Sequence, residues 1–264
     1  MSVWRLLQLE THNASMNMAI DEAVLRARIK NTAPNTLRFY RWKPSAVSIG
    51  KFQTLENEVH VESCKEKGVD TIRRITGGGA VYHDSEDEIT YSVIARKEDL
   101  QGVDIAAVYG RIYAGLVEAL RILGVTADFN KGNEKVCSNL TVNGKKISGS
   151  AQSHKGGVVL QHGTLLVRVN FERMFTFLRP PAARTCIEIL DIARNKITSV
   201  SGELKRDVSL EEVTRALTQG FRRALSIKLV DGKLTTDELQ VARELAREKY
   251  ATNDWNSQGR SSCC

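Results

Sequence analysis

Apolar residues recur at helical spacing early in the chain. Met16, Ile20, Ala23, Val24 and Ala27 share one side of a helix expected over Met16–Arg28, with Asp21 and Glu22 on the opposite side. Short strand-like runs follow at Thr36–Tyr40, at Ala46–Ile49 after Pro44, at Asp70–Arg74 and at Ile89–Ala95. Helical spacing returns over Ala106–Leu123, and Gly124 stands just past the last turn, where a left-handed residue often ends a helix. Two alternating runs, Leu140–Val142 and Val158–Val169, flank a glycine-rich stretch and read as strands of one sheet. Asn143-Gly144 supplies turn residues between Val142 and Ile147. From about residue 207 the pattern is helical: Ser209 with Glu212 makes a capping-box pattern ahead of Leu210–Leu225, and Thr235 or Thr236 caps Thr236–Tyr250. Strands mix with helices, and the helices gather at the end. This is the layout of an α+β or mixed-sheet α/β domain.

The 264 residues, 42% of them apolar, suit one large domain with a packed core and exclude a wholly disordered chain. No stretch approaches the ~20 apolar residues of a membrane span, and the start lacks a basic-then-apolar leader. The chain reads as soluble and cytoplasmic, without a membrane partner. Its net charge of +7 favours anionic partners, but no basic block interleaved with aromatics points to nucleic acid. Cys64, Cys137, Cys186, Cys263 and Cys264 form no CxxC pair, so neither a disulfide framework nor a zinc site is expected. The polar end Gln258–Cys264 is expected to fray, and its Cys263-Cys264 pair receives no role.

Three segments carry candidate chemistry. Arg73-Arg74-Ile75-Thr76-Gly77-Gly78-Gly79-Ala80-Val81-Tyr82-His83-Asp84 places three glycines after a strand-like run. Such a backbone can approach a ligand closely and aim N–H groups at an anion, while the arginines can bind phosphate or carboxylate. It also fits a flexible hairpin flanked by surface charge; no GK[ST] follows, so it is not a P-loop. Asn143–Gln152 delivers Lys145 and Lys146 to the start of a strand that runs into Gly149. A lysine there can act as a fixed point charge, or both can be solvated. His162-Gly163 enters an apolar strand, where a histidine is more often a structural residue than a catalyst.

In this order and spacing the segments resemble the lipoate–protein ligase A family of the biotin/lipoate ligase superfamily, in its archaeal-like form. Arg38-Phe-Tyr-Arg41, Pro44 with Val47–Gly50, and Lys249-Tyr250 with Asp254-Trp255-Asn256 extend the likeness over about Trp4–Asn256. The resemblance implies one catalytic domain over 1–256, with a helical end from about 207 and a disordered tail over 257–264. Its fold would be a mixed, mostly antiparallel sheet flanked by helices, like that of class II aminoacyl-tRNA synthetases. The implied reaction activates lipoate with ATP and Mg2+ to lipoyl-adenylate, then transfers the acyl group to a lysine of a lipoyl-domain acceptor protein. By position, Arg74, Gly79, Ala80, Val81 and Tyr82 would contact ATP and the adenylate. Gly77, Gly78, His83 and Gly149 would shape the lipoate site. Lys146 would serve both and be the catalytic residue, and strand alternation turns Lys145 away from it. No metal ligand set is implied.

The chain departs from the family pattern in two places. Ser138-Asn139 stands where many members carry Asn-Asp, and Ser85-Glu86-Asp87-Glu88 replaces the usual Leu-Gly-Asn after His83-Asp84. The sequence also stops where full-length ligases continue, which implies a separately encoded accessory-domain protein that restores activity. Two alternatives stay open. One is an octanoyltransferase that draws on octanoyl-acyl carrier protein through Cys137, nine residues before Lys146. The other is a non-catalytic small-molecule-binding or scaffold protein.

Overall fold

The computed structural model describes residues 1–101, 104–132, 137–180 and 185–257. The expected tail lies outside the described residues apart from Ser257. In chain order the elements begin with β1 (Val3–His12), α1 (Ala14–Ile29), β2 (Thr36–Trp42), β3 (Ala46–Ile49), α2 (Leu55–Glu58), α3 (Val61–Glu66), β4 (Asp70–Arg73), β5 (Val81–His83) and β6 (Glu88–Arg96). The middle of the chain adds α4 (Ile105–Leu123), β7 (Asp128–Asn130), β8 (Asn139–Val142), β9 (Lys145–Lys155), β10 (Val158–Leu166), α5 (Phe171–Phe177), α6 (Cys186–Lys196) and α7 (Val200–Leu204). The last part holds α8 (Leu210–Leu225), β11 (Lys228–Asp231), α9 (Thr236–Leu245) and α10 (Asn253–Ser257).

Eight strands form one sheet in the order β11-β1-β2-β6-β10-β9-β8-β7, and β4-β3-β5 form a second. In the large sheet β1 runs parallel to β11 and β2, and every other pairing is antiparallel. The expected mixed, mostly antiparallel sheet flanked by helices is therefore present. Alternation explains how both faces are covered. Leu37 and Phe39 of β2, with Ile89, Tyr91 and Val93 of β6, join a cluster closed by Val108, Ile112 and Leu116 of α4 and Leu217 and Phe221 of α8. Tyr40, Trp42 and Ile94 point the other way, into a cluster with α1 and α9. Among the described residues no helix is long and apolar enough to cross a membrane.

Caps follow the sequence closely. Gly124 ends α4 at φ 91°, and Thr235 with Glu238 forms a full capping box on α9. Ser209 accepts from Glu212 N as expected, but the Glu212 carboxylate turns to Arg206, so α8 has half a box. The expected amphipathic face of α1 is a correction. Asp21 and Glu22 are buried at 1% and 6% exposure, because arginine, histidine and lysine partners from other elements reach them. Pattern reading also missed β1, the short strands β5, β7 and β11, and the helices α5 and α6. It reached only the start of β9, whose polar run KKISGSAQSHK shows no apolar alternation.

Candidate active site

The two sheets meet at a cavity of about 360 Å³. The small sheet supplies Ser48 from β3, Arg74 after β4, and Val81, Tyr82 and His83 of β5 after the glycine loop. The large sheet supplies Thr90 of β6, Lys146, Gly149 and Ala151 of β9, and His162–Thr164 of β10. Leu166, Met174, Phe175, Leu178 and Ile197 make an apolar end suited to an aliphatic chain. Cys137, a free and exposed thiol, lines the same cavity just before β8.

The glycine loop is held close by its own backbone. A Cβ at Gly50 would stand 2.0 Å from Gly78 O, and Gly78 adopts φ 88°, so neither position accepts a side chain without displacement. Arg74 organises the rest. Its Nη1 donates to Ser48 O and Oγ at 2.9 and 2.7 Å, and its Nη2 donates to Gly77 O and Gly79 O, both at 2.9 Å. Burial lowers its pKa to about 10, which leaves it charged at neutral pH. Ser48 Oγ lies 2.7 Å from His83 Nε2, and His83 Nδ1 lies 2.7 Å from Glu88 Oε1. The roles follow the tautomer: with its proton on Nδ1, the ring donates to Glu88 and accepts from Ser48. The imidazole also stacks on Trp42, with centroids 4.0 Å apart.

A second histidine anchors the loop's start. His162 Nε2 lies 2.7 Å from Thr76 Oγ1, and Nδ1 lies 3.0 Å from Asp21 Oδ2. Burial lowers the His162 pKa despite the opposing pull of Asp21. Burial alone would raise that of Asp21, but the hydrogen bond from His162 and the charge of Arg38 hold it below its ordinary value. A neutral imidazole thus donates to an ionised Asp21 and accepts from Thr76. The expectation of a structural histidine describes it well.

Lys145 and Lys146 part as strand alternation requires. Lys145 Nζ donates to Arg194 O, outside the cavity, whereas Lys146 lines it. Lys146 is an exposed residue, yet protein packs around its side chain on many sides. That enclosure lowers its pKa; negative charge at Cys137 opposes the shift and positive charge on Arg74 adds to it. Among the described residues its amine has no hydrogen-bond or ion-pair partner. The Cys137 segment is tethered from two sides. Asn139 Nδ2 donates to Cys137 O at 2.9 Å, and the Tyr113 hydroxyl of α4 donates to Ser138 O at 3.1 Å.

The cavity gathers Arg74, Gly78, Gly79, Ala80, Val81, Tyr82, His83, Cys137, Lys146 and Gly149 from the sequence candidates. Gly77 is outside its wall, although its carbonyl is held by Arg74. Arg73 also points away. Its guanidinium donates to Trp255 O, Asn256 O and three carbonyls of residues 50–53, so it ties α10 to the loop after β3. Sequence reading passed over Ser48, Thr76 and Tyr113 because isolated hydroxyls carry no pattern. Asp21 could have been found as a carboxylate between the apolar positions Ile20 and Ala23.

Residues 13–222 match the lipoyl protein ligase A/B catalytic domain, and the chain belongs to that family. Octanoyltransferase LipM of Brevibacillus brevis is 35% identical over 97% of this chain and 99% of its own length. Octanoyltransferase LipM of Moorella thermoacetica is 37% identical over 96% and 97%. Among solved structures, lipoate-protein ligase A bound with ATP superposes with a TM-score of 0.85 at 32% identity, covering 98% of this chain and 99% of the other. A bipartite lipoate protein ligase from Thermoplasma acidophilum, described with its E2 lipoyl domain, superposes with a TM-score of 0.84 at 32% identity over the whole of both chains.

Proposed function

We propose that the chain is an octanoyltransferase that carries its acyl group on Cys137. The observation that carries this reading is a free thiol on the cavity wall, within electrostatic reach of both Lys146 and Arg74. The curated relatives named octanoyltransferase, aligned over nearly the whole chain, support it. A Cys137 thiolate attacks the carbonyl carbon of an octanoyl thioester on acyl carrier protein. The new C–S bond forms, the old one breaks, and the carrier thiolate leaves and takes up a proton. The lysine amine of a lipoyl-domain acceptor then attacks the enzyme thioester. A C–N bond forms, the Cys137 C–S bond breaks, and the amine's proton returns to sulfur or solvent. Each attack builds negative charge on the acyl oxygen, and the Lys146 ammonium, without a hydrogen-bond or ion-pair partner among the described residues, can meet it. The apolar end of the cavity takes the hydrocarbon chain.

The test is transfer from octanoyl-acyl carrier protein to a lipoyl domain without ATP. Wild type modifies the acceptor and accumulates a hydroxylamine-labile adduct on Cys137; Cys137→Ser does neither. Transfer that survives in Cys137→Ser, or that requires ATP, overturns the reading. The second reading is an ATP-dependent lipoate ligase, favoured by the superposition on the ATP-bound enzyme. There Lys146 would bridge the acyl carboxyl and the α-phosphate, and the Gly79–Tyr82 backbone would take the nucleotide, with Mg2+ bound through its phosphates. Arg74 would act through the loop, since its terminal N–H groups are committed. A separately encoded accessory protein belongs to this second reading, in keeping with the bipartite ligase. Lipoate-dependent ATP–pyrophosphate exchange, with or without such a protein, would establish it.

A further inference from the structure

Lys146 and Gly149 lie three positions apart on β9, a separation that puts two side chains on opposite faces of a regular strand. Here they share a face. Leu140 pairs with Ser148 but Thr141 pairs with Lys146, so Ile147 is an extra residue and the pleat changes phase at the bulge. The lysine then folds along its own strand. A Cβ placed on Gly149 would stand 2.7 Å from both Cε and Nζ of Lys146.

We infer that Gly149 is a positioning residue: the space left by its missing side chain is the seat of the Lys146 ammonium. The backbone offers no other reason for glycine at this position. Gly149 lies outside the left-handed region, so any residue could adopt its conformation. Thr164 pairs with Gly149, and the strands are so close that a Cβ on Gly163 would meet Gly149 O at 2.5 Å. Among the described residues, the groups that act on the seated amine are Arg74, which repels it, and Cys137, which would attract it when ionised.

The inference separates folding from chemistry. What a new side chain at 149 strikes is the far end of a flexible lysine, not backbone, so the fold yields cheaply while the ammonium moves. Placing the amine correctly matters only if Lys146 is the working cation, and in that respect the inference rests on the proposed function. The test therefore includes a measurement that does not.

Gly149→Ala and Gly149→Ser in the full chain would be compared with wild type in three ways: thermal unfolding, transfer kinetics, and the pH dependence of Lys146 acetylation by acetic anhydride, read by peptide mass spectrometry. Both variants should fold. The pH midpoint of Lys146 acetylation should rise, because an amine pushed out of its enclosure regains water and leaves Arg74. The turnover rate should fall about 10- to 100-fold with little change in KM for the acceptor. An unchanged acetylation profile, or a Gly149→Ala chain that does not fold, overturns the inference. In a double-mutant cycle, Gly149→Ala should cost less stability in a Lys146→Ala background than in wild type, and strict additivity would also overturn it. A shifted acetylation profile with undiminished transfer keeps the seat and removes Lys146 from the reaction.

Discussion

Both faces of the large sheet are closed by apolar clusters, but among the described residues only one of them also buries a network of charges against α1. On one, α4 and α8 close an apolar layer in which the Phe221 ring packs 6.4 Å from Phe39 and 5.6 Å from Tyr91. On the other, α1 buries two carboxylates, Asp21 against the strands and Glu22 against the C-terminal helical segment. Asp21 accepts from Arg38, Tyr40 and Ser92 and pairs with His162, and Glu22 accepts from Arg26, Lys249 and Tyr250. An apolar layer stabilises without direction. Buried ion pairs add little net stability, but they fix angles, since each donor has one acceptor to satisfy. The polar face is the one that touches the cavity, and through His162 and Thr76 it sets where the glycine loop begins.

The largest expected effect comes from breaking the apolar face. Phe221→Ala should cost about 3–5 kcal/mol in denaturant unfolding, yet leave the transfer rate per folded molecule unchanged. A rate that fell with stability would show that the faces are not separable.

His162→Gln should cost less, about 1–3 kcal/mol, as partners of a buried network lose their geometry. It should also slow transfer, because Thr76 is released. The variant also sharpens the pH dependence. Burial puts the folded pKa of His162 below its ordinary 6.5, so between those values the unfolded chain holds a proton that the folded chain lacks. Stability is therefore full above about pH 6.5 and declines as pH falls toward the folded value. Asp21 and Glu22 have folded pKa values below their ordinary 3.8 and 4.5, so their contributions go only at lower pH, as each is protonated in the folded state. Urea midpoints should fall in two steps on acidification. His162→Gln should shrink the upper step without abolishing it, because burial also lowers the pKa of His60 and His154. An unaltered upper step would remove His162 as its source.

The smallest effect belongs to the solvent side of the apolar face. Glu118 pairs with Arg121 and Arg223 at the surface, where water screens the charges. Glu118→Gln should leave the thermal midpoint within error. A clear loss would mean that α8 is held to α4 by surface charge as well as by the apolar layer.

Much of this architecture was legible in sequence windows. Ala46–Ile49 and Leu210–Leu225 appear with the expected bounds, and Gly124, Ser209 and Thr235 cap as their residue types suggest. The site was legible where it is local: the glycine loop, the turn that delivers Lys146, and the alternation that turns Lys145 away. By residue type Arg73 and Arg74 are alike, and the resemblance alone singled out Arg74. Only the packed chain separates one that ties down α10 from one that holds the loop.

By itself the sequence determined the features whose causes lie within a few residues, namely periodicity, caps, turns and the motif that marks the family. Tertiary structure alone decided which charges are buried and which side chains share a cavity. Those partners are far apart along the chain. Asp21 meets His162 across 141 residues, and Arg73 meets Trp255 across 182. Burying a charge is tolerable only when such a partner arrives, so the fate of Asp21 was settled by the arrival of Arg38 and His162 and not by its place in a helical pattern.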